Sequence, residues 1–497
     1  MAAEKIVAHS FDKAPPFPEK FEIVKKTTLN FTDIELNNNK FYSAEVQVAA
    51  DGQARLFSNY GRVGAPKAAK EVRVCRNAEH ASELFDKLIR EKTKKGYREV
   101  KLIKADVGSD LAKTKVETDM VSAQSLERVG IKLENKQTSS LAVETQNLIR
   151  AWFGSTAQFV AANLNTQRCP LGQLSVAQIV KGKDILEEAS AVLSQIDIPR
   201  LNRLTSDFYT NIPHVLPRII EADKLRLDSI EKIDRAMSIL EVFSDAKSLG
   251  DAMVSNVIDN QYKSLGCDLE VIDKADPTYK WIEKMVHQTR ASNHGSLGKI
   301  IIHNIFRANR HDEFGIMMEN SSIIAKSCEK HILPDMLKKL VPERPDINDD
   351  IRHNYRDANI FPLFHGSRTE NMCGIASKGM LIRPPGVKTC GKMYGAGIYF
   401  GYSSKAINYT SCTNSYWARG DSKRAYVFLC DVATGNKKIV SGSHQYSLKE
   451  LGKDYHSVWA KASPGVLIND EFIVYNPAGK TQQHCIKYII EFEAGGR

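Results

Sequence analysis

The rhythm of hydrophobic and polar positions changes twice along the chain. Tyr42 to Val48 alternates apolar and polar, Asp51 and Gly52 follow as a turn, and a run through Leu56 and Phe57 predicts the return strand of a hairpin. That hairpin leads into N-Y-G-R-V-G (Asn59 to Gly64). Ala81, Leu84, Phe85 and Leu88 then recur at helical steps, so the spacing predicts a helix over 78–93, closed by the basic run Lys92 to Lys95 and Gly96. Residues 20–104 therefore read as a small α+β module behind a Pro-rich tail at 1–19, and 105–138, which sustains no period, reads as a linker. From 139 to 260 the period becomes helical: Val176, Ile179, Val180, Leu186, Ala189, Leu193 and Ile196 fall at steps close to three and four, which predicts an all-α bundle. Beyond 261 short β-branched runs dominate, including Ile300 to Ile305, Ala425 to Leu429, Phe472 to Tyr475 and the alternating Ile486, Tyr488, Ile490 and Phe492. These predict a mixed, mainly antiparallel sheet over 261–497, so the fold class is multidomain α+β.

Length agrees with that division, because 497 residues exceed what one hydrophobic core organises. The net charge of +10 comes from 69 basic against 59 acidic residues, and about half of the surplus lies within 1–104, a local field of the sign that attracts phosphate backbones. The same excess also fits a solvated basic surface. Nine cysteines, odd in number and without a C-x-x-C pair, read as free thiols in a reducing compartment, neither a disulfide framework nor a zinc site. Charges interrupt the first twenty residues and no apolar stretch approaches the length of a membrane span, so the expectation is a soluble, intracellular protein without a membrane partner.

Candidate chemistry concentrates between Phe364 and Tyr409: F-H-G-S-R, then G-K-M-Y-G-A-G-I-Y-F-G, then S-S-K-A-I-N-Y. Taken by themselves, these residues fit a set of turn glycines and core tyrosines better than a pocket for a flat heteroaromatic amide, with backbone donors, hydroxyls and two tyrosine rings. The order decides between them. F-H-G-S, G-I-Y-F with its tyrosine 34 residues after the histidine, S-K-x-x-N-Y, and D-E-F-I-V-Y together resemble the catalytic domain of the poly(ADP-ribose) polymerases. Upstream, C-P-L-G-Q-L-S (Cys169 to Ser175) and F-Y-T-N-I-P-H (Phe208 to His214) resemble that family's helical regulatory domain, and Y-G-R-V-G with K-T-K-K-G-Y resembles its DNA-gripping WGR domain.

The resemblance implies an ADP-ribosyltransferase with NAD+ as substrate and no metal. It places the His-Tyr-Glu triad on His365, Tyr399 and Glu471. It implies NAD contacts from His365, Gly366, Ser367, Tyr399, Ser404 and Tyr409, an acceptor-side contact from Met393, and DNA contacts from Tyr60 and Arg62. The implied partners are nicked or blunt-ended DNA breaks and protein acceptors including the enzyme itself, in the nucleus of a eukaryote or DNA-associated in the cytoplasm otherwise. Glu471 favours polymer formation, because family members with an apolar residue there are typically restricted to one ADP-ribose unit. Three departures stand against the pattern: Tyr60 replaces the tryptophan that names the WGR domain, Ala406 stands where a nicotinamide-bonding serine is usual, and the stretch from His456 to Asp470 is short. The short stretch keeps a mono-ADP-ribosyltransferase as an alternative, with an inactive DNA-end-binding scaffold as a third. Residues 309–359 read as an insertion in the catalytic sheet.

Overall fold

A computed structural model describes residues 7–100 except 64 and 66, 139–163, 174–253 except 215, 257–291, 297–382 except 311 and 330, 393–415, 418 and 420–495. The predicted linker, most of C-P-L-G-Q-L-S and residues 383–392 lie outside the described residues. The chain forms two compact units, one from the described parts of 1–133 and 158–248, the other from those of 134–157, 249–385 and 390–497.

The first unit contains a six-stranded antiparallel sheet in the order β1-β5-β4-β3-β2-β6, with β1 Ala8–Ser10, β2 Phe21–Asp33, β3 Asn38–Ala49, β4 Ala54–Arg62, β5 Ala69–Cys75 and β6 Arg98–Val100. The predicted hairpin is β3–β4, turning through Gly52 at φ 87°. Its inner face (Tyr42, Ala44, Val46, Ala54, Leu56) packs on Ala81 and Phe85 of the helix Ala78–Lys94, whose N-cap Asn77 accepts the His80 N–H. The N-terminal tail is corrected: Ala8–Ser10 pairs with β5 as an edge strand, and Arg55 lies 4.0 Å from the Phe17 ring and 5.9 Å from the Phe11 ring.

The helical segments of this unit include Val176–Val192, Ile198–Asn211 and Ile230–Leu249. The first begins at a capping box, Ser175 with Gln178. The F-Y-T-N-I-P-H motif closes the second as an aromatic knot, with Phe208, Tyr209 and His214 rings 5.0–5.6 Å apart. Thr210 and Ser206 hydroxyls accept the Thr32 and Ile34 N–H groups at 2.9 and 3.2 Å, and Arg98 pairs with Asp207 at 2.7 Å, so sheet and helices share one packed body.

The second unit is built on a nine-stranded sheet in the order β12-β13-β14-β10-β9-β11-β15-β8-β7. Its strands are β7 Cys267–Val271, β8 Ile300–Arg310, β9 Ile360–Gly366, β10 Ile398–Gly401, β11 Arg424–Ala433, β12 Lys437–Val440, β13 Ser457–Ala460, β14 Glu471–Val474 and β15 His484–Ala494. Only the β12–β13 pair among them is parallel, which agrees with the predicted mainly antiparallel sheet.

Residues 309–359 are corrected from an insertion to part of this core. The helices Glu313–Ala325 and Asp349–Asp357 bury Met317, Ile324 and Tyr355 against Ile360 and Ala433. Between them Arg344, 2% exposed, binds Asp346 through Nε at 2.7 Å and Asp431 of β11 through both terminal nitrogens. Tyr355 donates to Asp431 at 2.7 Å and Tyr488 to Asp346 at 2.6 Å. A buried ion pair is retained only where its hydrogen bonds are completed in this way, and removing one partner costs about 3–5 kcal/mol.

Candidate active site

Three adjacent strands, β9, β10 and β14, bring the expected triad to one end of the second sheet. Gly401 of β10 faces Phe364 of β9 on one side and Glu471 of β14 on the other. His365, one residue on from Phe364, donates from Nδ1 to the Tyr399 carbonyl at 2.9 Å, since a carbonyl can only accept. Burial lowers the His365 pKa, opposed by that bond, so the ring is neutral and its Nε2 is left as an acceptor.

Glu471 is 6% exposed, and its Oε1 lies 2.8 Å from the Lys405 ammonium. Burial pushes its carboxyl above the usual range while Lys405 pulls it back. The Lys405 stem crosses Gly401, where a Cβ would come within 3.0 Å of it, so glycine makes room for the pair. Sequence reasoning gave Lys405 no role: the S-S-K-A-I-N-Y motif contains it, but only the β10–β14 register brings it to Glu471.

Tyr399 donates its phenol to the Gly395 carbonyl at 2.8 Å and accepts the Tyr394 N–H at 3.0 Å. Burial, then the Glu471 charge, raises the phenols of both Tyr399 and Tyr409, so the two rings share the carboxylate's field. Met393 packs with Tyr399 in a cluster that includes Tyr394, Ile473 and Tyr475. Gly366 abuts the helix Ser403–Ile407: a Cβ there would lie 1.8 Å from the Ala406 carbonyl oxygen. Ser367 accepts the Asn371 side-chain N–H at 2.9 Å. His365, Gly366, Ser367, Tyr399, Lys405 and Tyr409 are all partly exposed, so a ligand has access to this end.

Ser404 does not join them. It is fully buried and accepts the Ala291 N–H at 2.9 Å, while neighbouring Ser403 donates to the Val286 carbonyl at 2.6 Å. Both hydroxyls serve the packing of their helix against Pro277–Gln288, because buried backbone groups at its end require partners.

In the other unit, Tyr60 stacks on Tyr42 (5.5 Å, 14° between planes) and donates to Glu71 at 3.2 Å, so one ring face is already covered. Lys92 lies 4.1 Å from the Tyr42 ring. Arg62 is half-buried and engaged: its terminal nitrogens donate to the Asn37 carbonyl and Oδ1 at 2.9 and 3.1 Å and to the Pro217 carbonyl at 2.9 Å. It therefore ties the sheet to the segment following F-Y-T-N-I-P-H.

Comparison with known proteins agrees with this arrangement. Residues 25–103 match the WGR domain, 139–264 the poly(ADP-ribose) polymerase regulatory domain and 277–465 the poly(ADP-ribose) polymerase catalytic domain. The last match stops short of Glu471, which β14 returns to the site by pairing with β10. The chain is 26% identical over 505 residues to poly(ADP-ribose) polymerase 2-A of Oryza sativa subsp. japonica, spanning 92% of this chain and 68% of that protein. It is 24% identical over 508 residues to poly(ADP-ribose) polymerase 2 of Arabidopsis thaliana (93% and 72%), and 26% identical over 509 to poly(ADP-ribose) polymerase 2 of Homo sapiens (93% and 79%). By class, then, this is an NAD+ ADP-ribosyltransferase. It carries in succession a WGR domain, a poly(ADP-ribose) polymerase regulatory domain and a poly(ADP-ribose) polymerase catalytic domain.

Proposed function

We propose that the protein is a DNA-break-activated enzyme that transfers ADP-ribose from NAD+ to proteins, itself included, and extends the product into polymer. The reaction exchanges the nicotinamide–ribose bond for a bond to an acceptor oxygen, releasing nicotinamide and a proton. Positive charge develops at the sugar as the leaving group departs, so a fixed carboxylate beside it lowers the barrier. Glu471 takes that task and accepts a hydrogen bond from the adjoining ribose hydroxyl. Gly366 holds the carboxamide through its backbone, with Tyr409 and Tyr399 on the two faces of the ring. The free Nε2 of His365 accepts from the adenine-side ribose, with Ser367 beside it, and Met393 lies on the acceptor side. The convergence of a neutral imidazole, the Tyr399 phenol and a buried carboxylate on three neighbouring strands, joined by Tyr409 from the turn after the helix Ser403–Ile407, carries this reading.

Tyr60 and Arg62 serve the DNA side. Arg62 is bonded to the Pro217 carbonyl, so a phosphate that draws on its guanidinium also disturbs the helical segment, and the helical region restrains the transferase until that happens. In a eukaryotic cell the enzyme works in the nucleus. Labelled NAD+, incubated with and without nicked or blunt-ended DNA, is the test. A DNA-dependent high-molecular-weight smear supports the proposal, a discrete band points to single-unit transfer, and no label points to an inactive scaffold. Glu471→Gln is expected to abolish the smear while DNA binding persists; an unchanged smear refutes the role of that carboxylate.

A further inference from the structure

Tyr394 is 0% exposed, and its phenolic oxygen has no hydrogen-bond partner among the described residues. Buried polar side-chain atoms are normally paired, and a phenylalanine of the same shape would avoid the penalty of leaving this one unmade. The rest of the residue is fully committed. Its N–H donates to the Tyr399 hydroxyl at 3.0 Å, and its carbonyl accepts from the Tyr475 hydroxyl at 2.6 Å and from the Tyr446 N–H at 3.3 Å. The backbone is thereby fixed beside the candidate active site while the hydroxyl is left over.

The strand register says which face of β14 Tyr394 packs against. Side chains alternate along β14, so Glu471 and Ile473 share one face, and Tyr475, just past the strand, joins Ile473 in one cluster. Tyr394 packs on that face, in the cluster containing Ile473, Tyr475, Val458 and Ala460, and Ala460 stands opposite Glu471 in β13. The Glu471 charge, after burial itself, raises the Tyr394 phenol. The titratable groups around Glu471 are Lys405 and Tyr409 from the helix Ser403–Ile407 and the turn after it, Tyr399 from β10 and Tyr394 from the turn before β10; β13 contributes uncharged Ala460. A carboxylate accepts several hydrogen bonds, and Lys405 supplies one.

We propose that Tyr394 is a positioning residue for Glu471: with substrate in the cleft, its hydroxyl donates to the Glu471 carboxylate alongside Lys405, holding it ionised and oriented toward the ribose. The inference rests on the role proposed above for Glu471. It gives a role to a phenol whose oxygen has no partner among the described residues.

The test is Tyr394→Phe in the full chain, followed by nicotinamide release across the acidic side of the pH profile. The expected result is a fall in kcat of about tenfold, the equivalent of one charge-assisted hydrogen bond, with KM for NAD+ nearly unchanged. The acidic limb should move upward, because a carboxylate that loses a donor holds its proton more tightly. On a Glu471→Gln background the same substitution should cost nothing further. If Tyr394→Phe matches the wild type in rate and pH profile, the proposal is overturned, and a higher Tm with unchanged rates would mark the hydroxyl as a structural penalty only. Should the variant fail to fold, 13C-tyrosine-labelled wild-type protein provides the second measurement: the Tyr394 Cζ resonance must shift when a non-hydrolysable NAD analogue binds and must not shift in Glu471→Gln, and equal behaviour overturns the proposal. A wild-type chain that releases no nicotinamide brings down the proposed function itself, whereas an active wild type with an indistinguishable Tyr394→Phe brings down this inference alone.

Discussion

Replacing Lys405 by methionine tests whether the charge beside Glu471 is a working part of the site. The two side chains are 17% and 8% exposed and meet at 2.8 Å, so each is paired where water cannot easily substitute for its partner. Truncating one member of such a pair leaves the other buried and unmatched, at about 3–5 kcal/mol if it stays charged. Glu471 has an escape, because it can take up a proton. Its carboxyl is already raised by burial, and Lys405 is what opposes the rise, so Lys405→Met raises it further. The sign follows from linkage: a carboxyl whose folded pKa lies above its unfolded value loses stability as pH climbs from the unfolded value toward the folded one. The variant should therefore be close to wild type near pH 5 and clearly less stable near pH 8, measured by urea or thermal unfolding at both. Lys405→Met combined with Glu471→Gln removes both charges and should recover most of the loss at pH 8. A stability gap equal at the two pH values, or no recovery in the double variant, would refute the reasoning.

Gly366→Ala should abolish NAD+ turnover and lower Tm, because its Cβ would fall 1.8 Å from a backbone oxygen that no rotamer change can move; retained activity in a turnover assay would mean the helix Ser403–Ile407 is free to shift. Burial holds His214 down to about 4 and His484 to about 3, so both are neutral in the folded chain and gain protons first when unfolded. Stability attributable to them is complete above the ordinary histidine range and is lost as pH falls through it, about 2 kcal/mol each between pH 7 and pH 5. Unfolding midpoints across that interval check this, and His484→Val should flatten the slope.

Much of this protein was legible in the residue pattern because local rules govern it. The β3–β4 hairpin follows from strict alternation around Asp51 and Gly52, and the helix Ala78–Lys94 from apolar spacing and its cap. Strand β2 was not legible. Lys25, Lys26, Thr27 and Thr28 interrupt any alternation, a register shift falls between Ile23 and Lys25, and the strand is buried only from Thr27 onward, where the Ile198–Asn211 helix and its neighbours cover it. The edge strand Ala8–Ser10 was hidden for a similar reason, since three residues carry no period and pairing with β5 alone defines them.

The same division runs through the candidate site. The sequence by itself singled out the candidate side chains, His365, Tyr399, Tyr409 and Glu471, because motif order survives in one dimension. Only the tertiary structure decided their partners. Register across β9, β10 and β14 brought Lys405 to Glu471, helix packing turned Ser404 to Ala291, the turn before β10 packed Tyr394 with Ile473 of the carboxylate's strand, and the Pro217 carbonyl engaged Arg62. Charge pairing and burial are set by distances between segments far apart along the chain, and no local spacing encodes those distances.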